Sequence, residues 1–165
     1  ALPAIVEHEG PVYIRLFRRQ AENVFDDDYE FDLGKADLLR DGSDVTLIAS
    51  GVCVANALQA AETLAQEGVS ARVLNIHTIK PIDADAVIKA ASETGALVTA
   101  ENHNVIGGLG SAVAEVLAEQ RPTPLERVGV KDHFGQVGKA PYLMGVFGIT
   151  AADIAKAARK AIARK

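Results

Sequence analysis

Four short apolar runs, at residues 45–50, 71–76, 96–100 and 125–130, recur along the chain with helix-patterned stretches between them. Runs that are apolar at successive positions, instead of alternate ones, suit strands buried on both faces, and helical crossovers join such strands into a parallel sheet. The intervening stretches have the required period. Val54, Leu58, Ala61 and Ala65 fall at helical spacing, and Gly68 supplies a left-handed terminator. Asp83 precedes Val87, Ile88 and Ala91 as an N-cap, and Gly95 closes that second helix. A third runs over 111–120 on Val113, Val116 and Leu117, with Pro122 just beyond it. The last opens on Thr150 with Asp153 three residues later, a capping-box pattern. It finishes in Lys156, Arg159, Lys160, Arg164 and Lys165, cations that suit the negative end of a helix dipole. The expected fold is α/β: a Rossmann-like, doubly wound, mostly parallel sheet with helices on both faces. In such sheets ligands and partners meet the carboxyl ends of the strands. Those ends are Gly51-Val52-Cys53, residues 77–81, Glu101-Asn102-His103 and Lys131-Asp132-His133.

The first 42 residues read differently. After Gly10-Pro11, Val12, Ile14 and Leu16 alternate with Tyr13, Arg15 and Phe17, which predicts one isolated strand. Behind it Glu22, Asp26, Asp27, Asp28, Glu30 and Asp32 follow with no basic residue until Lys35, a solvated acidic connector. The expected divisions are therefore 1–20, 21–42 and 43–165. The chain opens on Ala1, as after initiator removal or as a piece of a longer polypeptide.

Composition narrows the function classes. A chain of 165 residues with 48% hydrophobic content builds a real core without staples, and its one cysteine, Cys53, forms no internal bridge. Cytoplasm is the expected compartment. A net charge of −5 has the wrong sign for a general nucleic-acid binder. No apolar run reaches the roughly 18 residues of a membrane span. Nucleic acid and membrane are not expected partners.

Several constellations carry candidate chemistry, each with a plainer reading beside it. Gly107-Gly108-Leu109-Gly110-Ser111 lies between a strand and a helix, where glycines let a backbone cradle an anion. Asp132 follows as a ribose partner would, but Val113 stands where the dinucleotide fingerprint wants a third glycine, and a tight packing turn explains the same residues. His77, His103 and His133 sit at strand ends, as metal ligands or as imidazoles bonded to loop backbone; their spacing matches no familiar metal site. Cys53, near a helix start, is a lowered-pKa thiol or a small buried hydrophobe. Arg15, Arg18 and Arg19 form a basic cluster suited to bidentate grip on phosphate or carboxylate, unless the acidic connector neutralises it. No nucleophile elbow and no Walker loop occurs.

Three strings say more: Gly10-Pro-Val-Tyr-Ile-Arg-Leu-Phe-Arg18, Asn75-Ile-His-Thr-Ile-Lys-Pro-Ile-Asp83 and Glu101-Asn-His-Asn-Val-Ile-Gly-Gly-Leu-Gly-Ser-Ala-Val-Ala-Glu115. With Asp132-His-Phe-Gly-Gln-Val-Gly138 and Phe147-Gly-Ile-Thr-Ala-Ala-Asp-Ile154, the chain resembles the carboxyl-terminal part of transketolases, above all the separate C-terminal subunit of split transketolases. The resemblance implies the end of a pyrimidine-binding domain in 1–20, a linker in 21–42 and the whole third domain in 43–165. It implies an enzyme that uses thiamine diphosphate and magnesium to move a two-carbon ketol unit between sugar phosphates. The family's Gly-Asp-Gly cofactor signature occurs nowhere in the chain. The cofactor is therefore expected on an N-terminal domain or subunit, none on this chain alone, within a homodimer or heterotetramer. By position, Arg18 corresponds to the family's substrate-phosphate arginine. Val137 stands where the family often has Ser or Thr. No catalytic residue is expected here, and the chain alone is expected to be inactive. The alternatives are the end of a deoxyxylulose phosphate synthase or of a 2-oxo acid dehydrogenase beta subunit, and, from another class, a nucleotide-binding or interaction module built on Gly107 to Gly110.

Overall fold

A computed structural model describes residues 1–18 and 21–165. Arg19, one of the basic cluster, lies outside the described residues. The chain runs α1 (Leu2–Glu7), β1 (Asp37–Arg40), β2 (Val45–Ala49), α2 (Cys53–Gln66), β3 (Ala71–Asn75), α3 (Ala84–Thr94), β4 (Leu97–Asn104), α4 (Leu109–Gln120), β5 (Leu125–Val130), α5 (Ala140–Val146) and α6 (Ala151–Ile162). The five strands form one sheet in the order β1-β3-β2-β4-β5. β2 to β5 are parallel, and β1 pairs antiparallel with β3 at the edge.

The central strands carry no solvated face. Every residue of β2 is buried: Val45, Leu47 and Ala49 pack toward α2 and α6, while Ile48 packs toward α3 and α4. This is why the apolar runs do not alternate. Each buried Leu or Ile, such as Leu47 or Ile48, contributes on the order of 1.5–3 kcal/mol over leaving it in water. The helices begin and end at the expected signals. Gly95 closes α3 in the left-handed conformation at φ 67°. Thr150 and Asp153 form a reciprocal capping box at the start of α6.

Three features depart from the expected pattern. Residues 12–16 are not in a strand. Among the described residues no strand lies alongside to supply ladder partners, and the side chains of Tyr13 and Leu16 stay exposed. Second, β1 lies inside the acidic connector. Its Asp37 accepts from the Asn75 amide at 2.8 Å and from the Tyr29 hydroxyl, so the sheet begins before residue 43. Third, Glu101-Asn102-His103 is not a loop but the continuation of β4. Between Ala100 and Asn104 that strand takes four steps while β5 takes two, from Val128 to Val130. Such a bulge re-aims side chains. The helices α1 and α5 carry Pro3 and Pro141 in their first turns, where a missing N–H is harmless.

Asp83 holds two elements at once. One carboxylate oxygen accepts from Ala86 N at 3.1 Å, capping α3, and the other accepts from Ala36 N at 3.0 Å, just ahead of β1. Asp83→Ala should lower stability by about 1–2 kcal/mol in urea unfolding, the scale of a lost N-cap. Asp83→Asn, with one acceptor oxygen, should fall between that variant and the parent chain.

Candidate functional site

The bulge in β4 turns Glu101 inward to the start of α4. Its carboxylate is 2% exposed and accepts from Leu109 N and Gly110 N, both at 2.8 Å. The first N–H groups of a helix lack intrahelical acceptors, and here a side chain of the same domain supplies them. Gly108 leaves room for this carboxylate, and at Gly110 and Gly129 Glu101 is one of several close neighbours. A Cβ at Gly108 would lie 2.0 Å from Glu101 Oε2, one at Gly110 would lie 3.1 Å from Oε1, and one at Gly129 would lie 3.1 Å from Glu101 Cγ. Ser111 completes the turn, accepting from Gly107 N and donating to Val105 O. The anion cradle read from Gly107 to Gly110 is therefore filled from inside the fold. A second anion placed there meets occupied donors and a like charge, so the turn does not fit a nucleotide phosphate or the diphosphate of thiamine diphosphate. Asp132, read as a ribose partner, is exposed and accepts from the Asn104 amide at 3.3 Å.

The neighbouring residue on β4 serves another purpose. Sheet order changes direction at β2, so the switch point lies between the carboxyl ends of β2 and β4. Asn102 stands there, and Arg15 reaches it. One guanidinium nitrogen donates to Asn102 Oδ1 and the other to Asn102 O, each at 3.1 Å. Arg15 is thus held by an amide and a carbonyl. Among the described residues no ion pair joins Arg15 or Arg18 to the acidic connector. Arg18, three residues on, is exposed.

Cys53 is fully buried in the cluster with Val54, Ala57 and Ile154. Burial pushes its thiol up to about 12, the Glu101 charge adds to the rise, and Arg15 opposes it weakly. It is a small core hydrophobe, not an activated thiol. The three histidines do not gather. His77 packs on Phe31 and stands 4.0 Å from Asp37 Oδ2 at the β1 edge, and burial pushes its pKa down against the pull of Asp37 and Asp32. The His103 ring lies within hydrogen-bond distance of Asn104 O, at 2.9 Å, and His133 is exposed. Among the described residues no group of three His, Cys, Asp or Glu is placed to hold a metal ion, and no helix is long and apolar enough to cross a membrane.

Burial raises the Glu101 carboxyl above its ordinary value of 4.5, partly offset by the Gly110 and Leu109 N–H groups and then by His103 and Arg127. The folded state therefore holds this proton more tightly than the unfolded chain does. The associated stability is full below the unfolded value and is lost as pH rises through the folded one. Urea unfolding followed as pH rises above the ordinary carboxyl value should contain this falling component, and Glu101→Gln should lack it. The amide also leaves one of two N–H donors without an acceptor, so Glu101→Gln should cost roughly 1–3 kcal/mol near neutral pH.

The family described as Transketolase, C-terminal domain, matches residues 34–154. The chain is 57% identical over 165 residues to the 6-deoxy-6-sulfo-D-fructose transketolase subunit SqwH of Clostridium sp. (strain MSTE9), covering 100% of this chain and 51% of that protein. It is 39% identical over 168 residues to the 1-deoxy-D-xylulose-5-phosphate synthase 1 of Geobacter sulfurreducens (strain ATCC 51573 / DSM 12127 / PCA), covering 99% of this chain and 26% of that protein. A solved split gene transketolase, described as an inactive beta4 tetramer, superposes with a TM-score of 0.95 at 47% identity, over 98% of this chain and 53% of that one. The chain thus spans about half the length, or less, of these proteins. With a family match that takes in the sheet from β1 to the start of α6 and a TM-score of 0.95 to a solved split gene transketolase, this chain belongs to the transketolase C-terminal domain family.

Proposed function

We propose that this chain is the C-terminal part of a thiamine diphosphate-dependent transketolase, active only with an N-terminal domain or subunit that holds the cofactor and its magnesium. The reaction moves a two-carbon ketol unit between sugars that carry a phosphate. This lobe serves association of the assembly and substrate-phosphate contact through Arg18. The carrying observation is the closed turn at Gly108 and Gly110: the glycine-rich helix start is filled by Glu101, while Arg18, outside the sheet domain, is exposed. The relative named as a transketolase subunit, matched along all of this chain, supports the reading. So does the relative described as an inactive assembly of beta subunits. Residues 1–20 then belong to a pyrimidine-binding domain whose other strands lie in the N-terminal domain or subunit, in keeping with a stretch at 12–16 that forms no strand among the described residues.

Arg18 suits any terminal tetrahedral oxyanion, since a guanidinium donates two parallel N–H bonds to phosphate or sulfonate alike. A relative named for a sulfo-fructose makes sulfonated sugars the first competitors to phosphorylated ones. The second reading, a deoxyxylulose phosphate synthase, rests on the 39% identity to such an enzyme. Product analysis separates them: the transketolase reading predicts ketol transfer, and formation of 1-deoxy-D-xylulose 5-phosphate by the assembled enzyme favours the synthase.

In the assembled enzyme, Arg18→Ala should raise KM for phosphorylated sugars and lower kcat/KM by roughly ten- to a hundredfold, the scale of a lost charge-assisted contact. The preference for phosphorylated over unphosphorylated sugars should collapse accordingly in steady-state assays. Equal losses on both kinds of sugar would assign Arg18 a structural role instead.

A further inference from the structure

Among the described residues, 1–18 touch the sheet domain at one polar point. Among the described residues, the hydrogen bonds that join residues 1–18 to the rest are the two from the Arg15 guanidinium to Asn102, 87 positions away. Both ends of that contact are defined. The Arg15 fork meets a side-chain oxygen and a main-chain oxygen of one residue, so its plane as well as its position is set. Asn102 sits in the β4 bulge directly after Glu101, whose buried carboxylate locks the strand to α4. On its other side the amide faces the turn before α2, where a Cβ on Gly51 would come to 3.8 Å from Asn102 Oδ1. The acceptor therefore follows directly on a residue that is hydrogen-bonded to the start of α4. Three extended residues reach only about 10 Å, which ties Arg18 closely to the point where Arg15 is held.

We propose that Asn102 is a positioning residue for substrate recognition: by clasping Arg15 at the switch point it fixes the segment 10–18 and hence where Arg18 presents its guanidinium to the oxyanion of the sugar. The inference rests on the role proposed for Arg18. It assigns to a neutral side chain on β4 a share of the enzyme's preference for anionic sugars.

The test uses the complete enzyme, reconstituted with its N-terminal partner, assayed on a phosphorylated ketose and its unphosphorylated counterpart. Asn102→Ala and Arg15→Ala should each raise KM for the phosphorylated sugar by roughly three- to tenfold, the scale of an exposed charge-assisted hydrogen bond, with the change in KM exceeding that in kcat. The two effects should not add, because Arg15→Ala already removes both hydrogen bonds, of which Asn102→Ala removes the one to Oδ1 and leaves the one to the main-chain oxygen. Neither should raise KM further once Arg18→Ala is present. Asn102→Asp keeps the acceptor oxygens and should restore KM to within about twofold of the parent. Thermal unfolding of each variant reports folding separately. If Arg18→Ala removes the phosphate preference while Asn102→Ala and Arg15→Ala leave it intact, act additively or damage both sugars equally, the clasp is overturned and the role of Arg18 stands. If Arg18→Ala itself leaves the preference intact, both fall.

Discussion

One buried carboxylate organises the functional end of this domain. Glu101 leaves the β4 ladder at a bulge, turns under α4 and takes the free N–H groups of Leu109 and Gly110. An ionised group removed from water is tolerated only where donors replace the lost hydration, and a helix start is such a place. The consequences spread through neighbours. Gly108, Gly110 and Gly129 have no room for a Cβ, β4 is fixed against α4, and the Cys53 thiol is driven further from ionisation. A pattern that resembles a phosphate cradle in one dimension is, in three, the socket of an internal anion.

Beside that socket, the next residue of β4 makes a second kind of contact. Asn102 follows Glu101 in the bulge and holds Arg15 by both nitrogens of its fork, so adjacent residues of one strand anchor a helix inside the domain and a segment that arrives from outside it. The acidic connector is attached at the β1 edge of the sheet. There Asp37 of β1 gathers Tyr29 and Asn75, and Asp83 holds Ala36. The acidic stretch is tied down by these few hydrogen bonds, not by burial of its carboxylates.

Much of the architecture is readable from residue order. Continuous apolar runs at Val45, Ala71 and Leu97 mark central strands because both of their faces are covered, and Asp83, Gly95 and Thr150 mark helix ends through local hydrogen bonding that needs no tertiary information. The failures share a cause. β1 has four residues and is held by the Asp37 contacts to Asn75 and Tyr29, so no periodicity reveals it. The alternation at 12–16 is a strand pattern, but a strand forms only with a neighbour, and the partner is not among the described residues. The glycine turn reads identically whether its anion comes from solution or from Glu101 eight residues before Leu109. Only the bulge decides, and it depends on the pairing of β4 with β5. Asn102 gave no signal, since its partner Arg15 is distant in sequence and an amide has no charge to pair.

The central claim is that this lobe works on a cofactor held elsewhere. Calorimetric titration of thiamine diphosphate with magnesium into this chain alone, and into the chain assembled with its N-terminal partner, tests that claim most directly. The account predicts saturable heat only from the assembly; tight binding by this chain alone would contradict it.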